Sequence, residues 1–216
     1  AANGTLSAPR GTLDLAGDFV NLGTFTNETH NSGTVLWSGS NLGAGSTDSP
    51  FTFYNLTFAL SGIQNVYPKN MTSAGITVEN TLTVNSGATM RLKSDTTGVV
   101  PLLSLGTTTS ACTVNLNSTV ANYLSINFDD NHDSFNAVRI AGVSSLYPAT
   151  INNADRISWD YPTGRTSRAV ELSNLNCVGT VTFGSDATGT YTTEIKLQGD
   201  CEFDAVTVDT DGTLDL

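Results

Sequence analysis

The feature that most constrains this chain is a rhythm of short runs in which apolar and polar residues alternate, separated by Gly, Asn, Asp or Ser. Gly11-Thr-Leu-Asp-Leu15, Gly33-Thr-Val-Leu-Trp37, Phe53-Tyr-Asn-Leu-Thr-Phe58 and Ile76-Thr-Val-Glu-Asn-Thr-Leu-Thr-Val84 set it in the first half. Cys112-Thr-Val-Asn-Leu116, Tyr123-Leu-Ser-Ile-Asn-Phe128, Val178-Gly-Thr-Val-Thr-Phe183 and Ala205-Val-Thr-Val208 carry it on. A period of two sends alternate side chains to opposite faces of a strand. No window of a dozen residues shows apolar spacing at i, i+3, i+4 and i+7, so helices are not expected. The chain is all-β. Strands this short and this numerous fit a sandwich, a barrel or a solenoid.

Two patterns favour the solenoid. Tyr54-Asn-Leu-Thr-Phe58 is followed by Val66-Tyr-Pro68, and Tyr123-Leu-Ser-Ile-Asn-Phe128 by Leu146-Tyr-Pro148, with the polar stretch Asp129–Asn136 accounting for most of the extra length of the second copy. Repeats that differ by a loop inserted on one side are the expected behaviour of stacked coils. Gly-Thr-Leu-Asp-Leu occurs at 11–15 and again at 212–216. Running Val206–Leu216 into Ala1–Leu6 continues the strand–turn rhythm, so the two ends are expected to meet, between tandem copies or stacked subunits. Leu6, Leu13, Leu15, Val206, Val208, Leu214 and Leu216 are the expected end-to-end contacts. The reading is a single parallel β-helix over 1–216. Residues 1–92 form regular coils, 93–202 coils with longer loops, and 203–216 a terminal coil. At roughly 20–24 residues per coil it has about nine or ten coils, each rising about 4.8 Å. The alternative architecture is a jelly-roll or β-sandwich subunit of pilin type, joined by donation of a terminal strand such as Ala205–Leu216.

Gly17-Asp-Phe-Val-Asn-Leu-Gly-Thr-Phe-Thr26, Gly33–Trp37, Phe53–Thr57 and Val78-Glu-Asn-Thr-Leu-Thr-Val-Asn-Ser-Gly-Ala88 together resemble the β-solenoid repeats of very large bacterial and archaeal surface proteins, of filamentous-haemagglutinin and autotransporter type. The resemblance covers about residues 1–92 and 203–216. It implies adhesion, surface coating or fibre formation, and it brings no catalytic residue.

Composition narrows the function classes. Charged residues are 13% and hydrophobic residues 38% of the chain, and a disordered chain this poor in apolar residues ordinarily carries far more charge. Twenty Asp and Glu against nine Lys and Arg give a net charge of −11. That field repels nucleic acid and anionic membranes, and no apolar run reaches the roughly 18 residues of a spanning helix. It is compatible with Ca²⁺ and with solubility outside a cell. The start at Ala1-Ala2-Asn3, without Met, is expected of a chain that has lost a leader or belongs to a longer polypeptide. An extracellular or cell-surface location follows as the expectation, with other copies of the chain as the partner and surface glycans as a further one.

Candidate chemistry is sparse. Asp129-Asp130-Asn131-His132-Asp133 reads first as a solvated insertion rich in turn formers. Its second reading is a calcium site through Asp129, Asp130 and Asp133, and its third is the carboxylate pair of a glycan-cleaving, tailspike-like β-helix. Asp209-Thr-Asp211-Gly212 lacks the spacing and the distal Glu of a calcium loop and reads as a turn. Trp159 and Tyr161 beside Arg165 and Arg168 form either a loop packed on the solenoid or a subunit or glycan face. Cys177 and Cys201 are separated by about the length of one coil. They are candidates for a bridge between adjacent coils, or else for two small residues in one column; Cys112 reads as an unpaired core thiol. No cofactor beyond calcium is expected. No nucleophile, base or metal motif points to catalysis, so the expected role is structural rather than enzymatic.

Overall fold

The computed structural model describes residues 4–21, 23–26, 32–44, 51–67, 75–94, 99–117, 123–128, 137–153, 156–160, 168–185, 193–208 and 212–215. The first strands are β1 (Thr5–Ser7), β2 (Thr12–Leu15), β3 (Phe19–Asn21), β4 (Thr24–Thr26), β5 (Thr34–Trp37), β6 (Asn41–Ala44) and β7 (Phe51–Phe58). Next come β8 (Gly62–Tyr67), β9 (Ile76–Val84), β10 (Ala88–Ser94), β11 (Val99–Leu105), β12 (Thr113–Leu116), β13 (Tyr123–Phe128) and β14 (Ala137–Gly142). The last are β15 (Ala149–Asn152), β16 (Arg156–Asp160), β17 (Arg168–Ser173), β18 (Leu175–Ser185), β19 (Thr193–Leu197), β20 (Cys201–Val208) and β21 (Gly212–Asp215). Every strand pairing among the described residues is parallel. Hairpin-linked sandwiches pair antiparallel. The jelly-roll alternative is therefore set aside, and the chain is a parallel β-helix.

The pairings form three ladders. On the first face Leu6, Phe25, Phe51, Ile76, Leu103, Ile140, Leu172 and Leu197 lie over one another, and Leu214 on Ile195 begins a ninth level. On the second, the column is Leu13, Val35, Leu56, Leu82, Val114, Ile151, Cys177 and Phe203. On the third, Phe19, Leu42, Val66, Leu92, Ile126, Trp159 and Ser185 are aligned, and Val208 on Phe183 adds the eighth level. Long strands turn a corner through a local shift of register, at Phe53–Asn55 and at Cys177–Thr180: β7 and β9 serve the first and second faces, β18 and β20 the second and third.

Among the described residues eight levels are complete and a ninth begins, at the low edge of the nine or ten coils expected, because most coils are longer than the strand–turn rhythm suggests. The step from Leu6 to Phe25 is short, whereas the step from Leu103 to Ile140 takes close to twice as much chain. The similar strings that suggested a repeat also occupy different faces. Leu56 pairs with Leu82 on the second face, whereas Leu124 pairs with Met90 on the third. Likewise Leu13 belongs to the second face and Leu214 to the first. The strings mark the strand–turn rhythm and not equivalent positions in successive coils.

Inward columns make one core. Phe25, Phe53, Leu56, Val78, Leu82, Leu105, Val114, Ile151, Leu172, Cys177, Val181 and Ile195 are all buried in a single cluster. Rings dominate its early levels: the Phe25 and Phe53 centroids are 5.0 Å apart, Phe51 stacks on Phe53 at 5.7 Å, and Trp37 meets Phe58 at 5.6 Å. One polar side chain, Gln64, points inward with no exposure. It donates to the Trp37 and Gly39 carbonyls at 3.0 and 2.8 Å and accepts from the Leu60 amide at 3.0 Å, so its burial carries no unmet hydrogen bond. Corners are tight. At Gly33 φ is +101° and an added Cβ would lie 2.0 Å from the Pro9 carbonyl oxygen, so only glycine fits there.

Candidate functional sites at the ends and at one corner

The expected end-to-end residues fall at the two ends of the rod. Leu6 stands in the column of Phe25, and Val206 and Val208 stand in the columns of Val181 and Phe183. Phe25 is 1% exposed and Val181 and Phe183 are 0%, yet Leu6 is 48% exposed, Val206 38% and Val208 37%. These side chains point into the core column and are wet because none of the described strands lies over them. Leu13, Leu15 and Leu214 are partly buried against the core, and Leu216 lies outside the described residues.

Calcium through Asp129, Asp130 and Asp133 concerns residues outside the described set, as do Tyr161 and Arg165. Trp159 lies between Ile126 and Ser185 in the third-face register, and Arg168 opposite Thr193 on the first face, so the backbone places them on different faces. Among the described residues no group of three or more His, Cys, Asp or Glu is placed to hold a metal ion, and no helix is long and apolar enough to cross a membrane.

The cysteine bridge is corrected. All three cysteines are free thiols. Cys177 lies opposite Phe203, and Cys201 opposite Leu175, because the coil step here is slightly longer than the separation of the two cysteines. The two are thus diagonal neighbours in adjacent columns, with Cα atoms roughly 8 Å apart by strand geometry, beyond the ~7 Å that a disulfide spans. Nor do they share one column. Burial pushes the thiols of Cys112 and Cys177 up to about 12, and burial also raises that of Cys201, leaving all three weak nucleophiles.

Two features were not legible from spacing. The first is a column of alternating charge on the outer side of the first face, where Arg139, Glu171 and Lys196 are successive neighbours. Arg139 donates to one oxygen of the largely buried Glu171 through both Nε (2.9 Å) and Nη2 (2.5 Å). The second-face surface is instead almost without charge: Thr34, Asn55, Thr81, Thr113, Thr150 and Asn176 follow one another, with Asn152 bonded to Asn115 at 3.0 Å in the next column. Asn55, in one of five Asn-x-Ser/Thr sequences, donates to the Gly33 carbonyl and accepts from Asn80, whereas Asn117 is exposed.

The second feature is a cleft at the corner between the first and second faces. The segment Val143–Pro148 rounds this corner at level six, but Asn174 alone does so at level seven. The longer crossing overhangs the shorter. Beside it opens a cleft of about 370 Å³ whose lining includes Pro148, Leu175, Leu197, Asn176, Asp200 and Glu202. Asn174 pins both feet of the overhang: its Nδ2 donates to the Gly142 carbonyl at 3.0 Å, and its carbonyl accepts from the Ala149 amide at 3.0 Å. The left-handed backbone this requires (φ +54°) is tolerated by Asn. No family model, curated protein or solved structure matches the chain.

Proposed function

We propose that the chain is a structural segment of an extracellular or cell-surface fibre or adhesin, in which further coils of the same kind cover both ends of the solenoid. The supporting observation is the contrast within single columns, where residues buried at interior levels give way to exposed apolar side chains at Leu6, Val206 and Val208. Uncovered inward columns and strand edges favour pairing with another coil, and each added level gains one more ladder of hydrogen bonds and one more layer of core. The covering coils come from a second copy, stacked head to tail, or from tandem copies in one polypeptide. The acidic surface keeps such a rod soluble and disfavours nucleic acid and anionic lipid as partners. No catalytic role is part of this reading.

Electron microscopy of the purified chain and of the native material tests it. The expected image is a rod or filament of uniform width, and Leu6→Asp, which alters an already exposed side chain, is expected to shorten the rods while leaving the far-UV spectrum unchanged. A monodisperse monomer at high concentration, unaffected by Leu6→Asp, contradicts stacking of copies.

A further inference from the structure

The corner cleft combines three properties that the fibre reading does not use. Its overhang carries apolar side chains outward: Leu146 is 82% exposed, Tyr147 43% and Val143 42%. A mobile loop often shows such residues, but this one is held at both feet by Asn174, and inside it the Leu146 amide donates to Ser144 Oγ at 3.2 Å. Gly142, at one foot, has no room for a side chain, since a Cβ would fall 2.2 Å from the Asn174 carbonyl oxygen. Apolar groups held out to water on a fixed support mark a contact surface. The cleft beside them joins an apolar patch of Pro148, Leu175 and Leu197 to the amide of Asn176 and the carboxylates of Asp200 and Glu202. A mostly apolar lining with a few convergent polar groups is the usual make-up of a small-ligand site, and 370 Å³ lies within the usual range of roughly 300–1,000 Å³.

Charge selects the ligand. No Lys or Arg lines the cleft, and neither Asp200 nor Glu202 joins an ion pair among the described residues. Both carboxylates are exposed, so they are acceptors ready for hydroxyl or ammonium donors. A phosphate, sulfate or uronic acid is repelled. Tyr147, exposed and next in sequence to the lining Pro148, has a ring suited to the C–H side of a sugar and to a cation. We propose that this cleft binds a sugar chain bearing free amino groups, with Asp200 and Glu202 pairing its ammonium and hydroxyl groups, Asn176 bonding a ring hydroxyl, and Tyr147 packing against a ring. The site shares β20 with Val206 and Val208, but its readout is oligosaccharide binding by the chain in solution and that of the fibre reading is rod formation, so the two proposals fail separately.

The test is calorimetric titration at near-physiological salt with a glucosamine hexamer, its fully N-acetylated counterpart, a galacturonic acid hexamer and hexalysine. The glucosamine hexamer is expected to bind, the acetylated one more weakly, and the galacturonic acid oligomer not at all. Glu202→Gln and Tyr147→Ala are each expected to weaken binding by about fivefold or more, whereas Asp14→Asn, which removes one exposed carboxylate at the far end, changes it by less than about twofold. Equal losses from Glu202→Gln and Asp14→Asn mean diffuse attraction to an acidic protein and overturn the site. So does an absence of binding to either amino-sugar oligomer, or tighter binding of hexalysine that Tyr147→Ala leaves intact. Thermal unfolding of each variant, expected to match the parent, keeps a lost fold from being read as a lost site.

Discussion

Levels two and three and levels six to eight are built on the same parallel ladder with different means of holding it. The earlier levels fill the interior with rings, Phe25, Phe51, Phe53, Trp37 and Phe58, and present Thr and Asn on the second face. The later levels fill it mainly with Ile140, Leu172, Leu175, Cys177 and Ile195, keep one ring pair, Phe183 against Phe203 at 5.7 Å, and carry outside the ion pair Arg139–Glu171 with Lys196 next in register. Rings give the early coils large buried area per level and leave the surface free of any electrostatic duty. Aliphatic coils bury less, and alternating charge on neighbouring strands adds attraction where like charges repel. One ladder is therefore compatible with two interiors and two surfaces, because backbone pairing sets the fold and side chains set how firmly each level is held.

The largest expected effect breaks the early interior. Phe53→Ala removes a ring in contact with both Phe25 and Phe51 and is expected to cost about 3–5 kcal/mol, against about 2–4 kcal/mol for Leu172→Ala at level seven; urea unfolding measures both. An equal or larger loss at Leu172 removes the contrast between the two interiors.

Next in size is the alkaline response of the later and middle levels. The folded-state values of about 12 for Cys112 and Cys177 lie above the ordinary 9.0. The protonated thiol is the folded form, so its contribution is complete below pH 9 and is lost as pH rises from 9 towards 12. Each thiol is expected to lower stability by up to about 1.4 kcal/mol per pH unit in that window. Replacing Cys112 and Cys177 together by Ala is expected to flatten the decline of Tm above pH 9. Thiol titration adds a second check: three thiols react in denaturant without reductant, where a Cys177–Cys201 disulfide leaves one.

A smaller effect sharpens the surface contrast. Glu171→Gln is expected to cost about 1–2 kcal/mol, and a double-mutant cycle with Arg139→Gln to recover most of it as coupling, since the pair is only partly shielded from solvent. Smallest of all, Thr81→Val on the uncharged second face is expected to change stability by less than about 0.5 kcal/mol.

Much of the fold was legible because a period of two is read directly from residues such as Ile76–Val84, and those residues do form one strand with inward Ile76, Val78, Leu82 and Val84. Inward columns at the ends were legible for the same reason. Coil length was not, since it depends on corners that range from the single Asn174 to the whole of Val143–Pro148, and an insertion at a corner leaves the strand pattern untouched. The misplacement of Cys177 and Cys201 follows from that: a small error in the coil step shifts the pairing by one inward position. The cleft had no local signal, because Pro148, Asn176 and Glu202 come from three coils and meet only once the register is known.

Distances along the second face test the parallel stack most directly. Spin labels paired from Thr34 to Thr150, Asn176 and Glu202 span four, five and six levels, and the account predicts separations of roughly 19, 24 and 29 Å, one strand spacing per step. Separations that do not lengthen by a constant increment, or that shorten at any step, contradict it.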